Sequence, residues 1–185
     1  MKNIFVLFLI FSLGMARELE LGSGMPEANY MLDDISGKKL SLTDIQGKNG
    51  TLIIFSCNTC PVVIQWEDRY VTIAEKYIPK GIGMIAVNSN ADRFDGDESI
   101  EEMVKHAKKN DYNFPYAQDQ KSILARAFGA TKTPHIYLFD ENLDVKSLSI
   151  NAILIIVSNS FLKLNPAAFA DRGSKLVEDN PGKLF

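Results

Sequence analysis

The chain reads as an α/β protein, because apolar runs of strand length alternate with longer segments whose apolar residues recur at helical spacing. Residues 51–55, 84–87 and 136–139 are continuous apolar runs, as strands covered on both faces require. Residues 60–77, 99–109 and 122–128 carry the helical pattern between and around them. Such alternation implies crossover connections and a largely parallel central pair of strands.

Taken in order, residues 1–16 begin with a charged Lys2, continue through the apolar stretch 4–11 and end in Gly14-Met15-Ala16. That is the pattern of a secretory signal peptide. Its apolar part is too short for an ordinary membrane span, so the expected product is an exported chain, periplasmic or secreted, with no stable span after cleavage. Without residues 1–16, which hold one Lys and no acid, the chain carries 19 basic and 23 acidic side chains, a formal charge of −4. This mild acidity gives no support to nucleic-acid or anionic-membrane binding. The remaining length suits one domain with a hydrophobic core, expected over residues 17–144.

Residues 17–28 are Gly-rich and predict an exposed lead-in. The segments around Leu32 and Leu40 flank a Ser36-Gly37 corner and predict a hairpin. Along 60–77, Val62, Trp66, Tyr70, Ile73, Ala74 and Tyr77 share a face, which makes Trp66 a core residue. Along 99–109, Ile100, Met103, Val104 and Ala107 do the same, with Glu101 and Glu102 near the N-terminus and His106 on the polar, solvated side. Asn88-Ser89-Asn90 ends the second strand, at the sheet edge where open α/β folds place ligands. Asp92, Asp95, Asp97 and Glu98 follow as a solvated acidic loop, their spacing unsuited to calcium. Residues 145–185 include a very apolar run at 150–157 and are expected to complete the same domain as a divergent C-terminal segment.

The chemistry is concentrated in Cys57-Asn58-Thr59-Cys60-Pro61, which holds both cysteines of the chain and directly follows the first buried strand. A disulfide closing only two intervening residues removes little chain entropy, so a purely structural bridge is disfavoured. A thiol at a helix mouth is chemically useful, because unsatisfied N–H groups there stabilise a thiolate. Cys57 is therefore the expected nucleophile, and Cys60 the sulfur that resolves a mixed disulfide on it. Pro61 suits the first helical turn, where a missing N–H costs nothing.

The order of strand, Cys-x-x-Cys-Pro and helix resembles the thioredoxin fold, and Thr133-Pro134 before the third long strand strengthens the likeness. The resemblance implies a three-layer structure: a central mixed sheet flanked by helices, with an N-terminal hairpin and a helical insertion near 99–109. It also implies a cis proline at Pro134, with Thr133 and Pro134 shaping a groove for an extended substrate. More closely, the chain resembles the peroxiredoxin-like redoxins of the alkyl hydroperoxide reductase/thiol-specific antioxidant group. The motif residues, Glu67-Asp68-Arg69, Asn88-Ser89-Asn90, Phe114-Pro115-Tyr116, Phe128-Gly129-Ala130, Thr133-Pro134-His135 and Leu138-Phe139-Asp140 carry that likeness. Two departures matter. Gly50 and Ile54 stand where true peroxiredoxins carry the proline and threonine of their peroxide site, which makes peroxidase activity doubtful. Thr51 stands where thioredoxins usually bury an aspartate, so proton transfer must use water or another group.

The expected activity is thiol-disulfide exchange through Cys57 and Cys60, with protein or small thiols and disulfides as substrates, an upstream redox protein as partner, and no cofactor. Asn58, Thr59, Pro61 and His135 are candidate neighbours, although the alternation of His135 with Tyr137 and Phe139 along a strand favours a structural role for it. A thiol peroxidase is one alternative. A Cu(I)-binding module built from Cys57, Cys60 and His135 is another.

Overall fold

The computed structural model describes residues 18–148; the expected signal peptide and the apolar run at 150–157 lie outside them. Seven strands form one mixed sheet in the order β2-β1-β5-β4-β3-β6-β7. They are β1 (Leu32–Asp34), β2 (Lys39–Leu40), β3 (Thr51–Ser56), β4 (Gly83–Asn88), β5 (Tyr116–Gln118), β6 (His135–Phe139) and β7 (Val145–Leu148). The helices are α1 (Leu42–Ile45), α2 (Pro61–Trp66), α3 (Asp68–Tyr77), α4 (Ile100–Lys109) and α5 (Ile123–Phe128).

β3 is central because every residue of it is buried. It runs parallel to β4, with Thr51 opposite Gly83 and Ser56 opposite Asn88, and antiparallel to β6, with Phe55 opposite His135. Side chains alternate across the sheet, so successive residues feed two separate cores. Leu52 and Ile54, with Met84, Ala86, Ile136 and Leu138, join Tyr70, Ile73, Ala74 and Met103 of α3 and α4. Ile53 and Phe55, with Ile85, Val87, Tyr137 and Phe139, join Leu42, Leu124 and Phe128 of α1 and α5. The result is the expected three-layer arrangement, with β1 and β2 as the hairpin and α4 as the helical insertion between β4 and β5.

Local chemistry sets the boundaries. Ser41 and Asp44 form a reciprocal capping box on α1. Ser99 accepts from the Glu102 N–H at 3.3 Å to start α4. Gly83 opens β4 where the Ile45 carbonyl oxygen would lie 1.8 Å from any added Cβ. The segment expected as one helix over 60–77 is two, α2 and α3, joined at Glu67. β5 carries no strand-length apolar run, being three residues long and ending in a buried Gln118.

The lead-in is held more firmly than its composition predicts. Gly22 N–H donates to the Val145 carbonyl and Val145 N–H to the Ser23 carbonyl, each at 2.9 Å. Leu19 and Met25 pack on the α5-side core. β7 pairs with β6, so the first residues of the 145–185 segment belong to the same sheet.

Phe128 is fully buried and meets Phe55, Tyr137 and Phe139 edge to face, with centroids 5.1 to 5.8 Å apart. Phe128→Ala should cost about 3–5 kcal/mol by denaturant unfolding, since both its transfer energy and its aromatic contacts are lost.

Candidate active site

β3 delivers Cys57 to the end of the sheet, and Cys60 is the N-cap of α2, with Pro61 in its first turn. Both are free thiols. The Thr133-Pro134 bond is cis. It places Thr133 against both sulfurs: its Oγ1 lies 3.3 Å from Cys57 Sγ, and its carbonyl accepts from Cys60 Sγ at 3.4 Å. The structure thus brings together Cys57, Cys60, Thr133 and Pro134, residues 76 apart in the chain at their widest hydrogen bond.

The two thiols differ in a way the motif alone does not reveal. Cys57 is only 2% exposed, and burial pushes its thiol up, against hydrogen bonds from Thr133 and the Cys60 N–H, with the Glu98 charge adding to the rise. Partial burial opposes ionisation of Cys60 too, but there the Thr133 side chain, the Val63 and Val62 N–H groups and Cys57 outweigh it and bring the thiol down. The helix begins at Pro61, so its free N–H groups serve Cys60 rather than Cys57. Burial thus holds the Cys57 thiol protonated more firmly, and Cys60 is the more readily ionised of the two.

Asn58 and Thr59 are anchored into the fold. Asn58 N–H donates to Glu98 Oε2 at 2.8 Å, its Nδ2 to the Asp97 carbonyl at 2.8 Å, and its Oδ1 accepts from Tyr116 OH at 3.0 Å. Thr59 Oγ1 donates to Glu98 Oε1 at 2.8 Å and accepts from Arg93 Nη1 at 3.0 Å. Glu98 is 0% exposed, so the loop expected to be solvated sends one carboxylate inward. Its neighbours Asp95 and Asp97 hide it in the sequence, since four acids in seven positions look alike.

A second carboxylate lies at the helix break. Glu67 Oε2 takes His106 Nε2 at 2.6 Å and Tyr112 OH at 3.1 Å. His106, expected in solvent, is instead 14% exposed and tied to the active-site helix, because α4 packs its His106 edge against the α2–α3 junction. Glu67 and His106 lie on segments 39 residues apart, which no local pattern connects.

His135 does not join the sulfurs. Its Nε2 bonds Glu18 Oε1 at 2.8 Å and its ring stacks on Tyr137 at 4.6 Å. The proposed Cu(I) ligand set therefore lacks its third member, and among the described residues no group of three or more His, Cys, Asp or Glu side chains is placed to hold a metal. At the positions that distinguish true peroxiredoxins, Ile54 is wholly buried, and Gly50 has φ +131°, a backbone conformation closed to proline. Thr51 is buried, and its Oγ1 accepts from the Gly47 N–H at 3.3 Å.

Two clefts flank the motif. One of about 310 Å³ lies between Thr59 and α4, beside Lys105, His106 and Lys109. The other, about 390 Å³, runs from Phe55 and Thr133 past Ser89 and Asn90 to Arg126 and Lys132.

Residues 22–160 match the AhpC/TSA family. The thiol-disulfide oxidoreductase ResA of Bacillus thuringiensis is 27% identical over 127 residues, covering 68% of this chain and 66% of that protein, just under two thirds of its length. Among solved structures, an uncharacterized conserved protein from Geobacillus kaustophilus is 29% identical with TM-score 0.66, covering 90% of this chain and 86% of that one. The thioredoxin domain of a thiol-disulfide oxidoreductase from Bacteroides vulgatus shares the fold with TM-score 0.61 at 20% identity, over 76% of this chain and 100% of that one.

The Thr133 hydroxyl favours both thiolates, so its removal should raise both thiol pKa values. Thr133→Val should slow alkylation of Cys57 and Cys60 at a fixed pH below their midpoints by about fivefold, the equivalent of one hydrogen bond of ~1 kcal/mol, as measured by iodoacetamide labelling across pH.

Proposed function

The chain belongs to the AhpC/TSA family, and we propose that within it the protein is a thiol-disulfide oxidoreductase that cycles Cys57 and Cys60 between dithiol and disulfide. The observation that carries this reading is the pair of free thiols held against Thr133 beside a cis proline. The curated relative bearing that activity's name supports it.

In the reaction, a thiolate of the pair attacks one sulfur of a substrate disulfide; that S–S bond breaks and the other substrate sulfur leaves as a thiol after taking a proton. The partner cysteine then attacks the mixed disulfide, forming the Cys57–Cys60 bond and releasing the second substrate thiol. Two electrons and two protons pass to the substrate, and the reverse sequence oxidises a dithiol. The cleft that ends at Thr133 offers a path for an extended peptide, its outer end lined by Arg126 and Lys132. Substrates are thus protein or small-molecule disulfides, with a second redox protein restoring the pair. The signal-like residues 1–16 support action outside the cytoplasm, and no helix among the described residues is long and apolar enough to cross a membrane.

Equilibration of the mature protein with glutathione buffers, read by mass, should show one reversible intramolecular disulfide and a single two-electron transition. Cys57→Ser and Cys60→Ser should each abolish it, and each should trap a mixed disulfide on the sulfur that remains if that sulfur is the attacking one. A pair that never closes would overturn the exchange mechanism. Peroxide consumption that survives Cys60→Ser would replace it with single-cysteine peroxidase chemistry.

A further inference from the structure

We propose that Glu98 is a positioning residue of the dithiol site: its buried carboxylate clamps the Asn58-Thr59 bridge to the end of the sheet and sets the reactivity of Cys57. The inference rests on the exchange reading above for its biological meaning, but not for its test.

Four donors converge on this carboxylate. Oε2 accepts from the Asn58 N–H at 2.8 Å and from Asn88 Nδ2 at 2.7 Å. Oε1 accepts from Thr59 Oγ1 at 2.8 Å and from Asn90 Nδ2 at 3.5 Å. Both residues between the cysteines are therefore bound to one side chain, and that side chain is bound in turn to Asn88, the last residue of β4, which pairs with Ser56 just before Cys57. Tyr116 of β5 closes the arrangement from beneath by donating to Asn58 Oδ1. The conformation of the motif is thus dictated by a residue 38 positions after Cys60, not by its own dipeptide.

All four donors are neutral, so the negative charge of Glu98 is stabilised by hydrogen bonds but not cancelled by a cation on it. A charge in such a dry place acts strongly on its neighbours. It also occupies the Asn58 N–H, the first backbone donor after Cys57. Both effects disfavour a thiolate at Cys57, in line with the upward contribution of Glu98 to that thiol. The other charged or titratable groups around Cys57 are Cys60 in the motif, Tyr70 of α3, Tyr116 of β5, and Arg93 with Asp97 on the Glu98 loop. Tyr70 and Tyr116 are held as neutral phenols by burial. Arg93 is engaged with Thr59 and the exposed Asp97.

Glu98→Gln isolates the charge. Its amide oxygen can keep the Asn58 and Asn88 bonds while its Nε2 donates to Thr59 Oγ1. In a Cys60→Ser background, where Cys57 is the one thiol, iodoacetamide labelling against pH should show the Cys57 midpoint falling in Glu98→Gln. At a fixed pH below both midpoints the rate should rise at least threefold. Asp95→Asn, which removes an exposed charge from the same loop, should leave the rate within twofold. An unchanged profile in Glu98→Gln, or an equal shift in Asp95→Asn, would overturn the electrostatic role. The clamp is tested without any substitution: the Asn58 amide should be strongly protected from hydrogen exchange in the wild-type protein, and prompt exchange there would overturn it. Labelling and exchange require no disulfide chemistry, so they give their answer even if the pair never forms a disulfide.

Discussion

The arrangement depends on burying β3 on both faces at once. A strand with no exposed residue must be covered by two layers, and its alternation assigns Leu52 and Ile54 to one core and Ile53 and Phe55 to the other. This fixes its register against both β4 and β6, since a slip of one residue would exchange the two cores. Cys57 inherits that precision. The sulfur stands where the strand ends, opposite the start of β6, and the cis Thr133-Pro134 bond comes to it as a consequence of the same pairing.

Around that fixed point the site is organised by two buried carboxylates with different tasks. Glu98 holds the residues between the cysteines, and Glu67 holds the helix that follows them. Each is satisfied by groups from a distant element, so the insertion between β4 and β5 is built into the dithiol site through both its loop and its helix. Hydrogen bonds of this kind are modest in net stability, but each deleted partner leaves a buried acceptor unpaired. The 89–109 segment is thereby bound to the chemistry it surrounds.

The legible part of the molecule was the part written in local pattern. Apolar runs and helical periods located β3, β4, β6, α4 and α5, and the Cys-x-x-Cys-Pro and Thr-Pro marks located the sulfurs and their neighbour. Illegible features depended on tertiary contacts. Glu98 and Asp97 are adjacent acids with opposite fates, and only the position of the Asn58 N–H separates them. His106 falls on the polar arc of α4, yet it is largely withdrawn from solvent because a carboxylate awaits it at the α2–α3 junction. The sequence reading put the helix mouth at Cys57, whereas the N-cap of α2 is Cys60, since only the closed hydrogen-bond pattern shows where the helix starts. The structural role of His135 was legible in its alternation with Tyr137 along the strand, and its ring turns towards Tyr137 and Glu18 as that alternation requires.

That last contact has a geometric corollary. His135 is the first residue of β6 and lies at the same end of the sheet as Cys57, so Glu18, which touches it, enters the fold at the reactive end. From there the chain runs away towards Val145. The start of the lead-in therefore shares the pole of the domain that carries Cys57, so a large partner that reaches the sulfurs has that segment beside it.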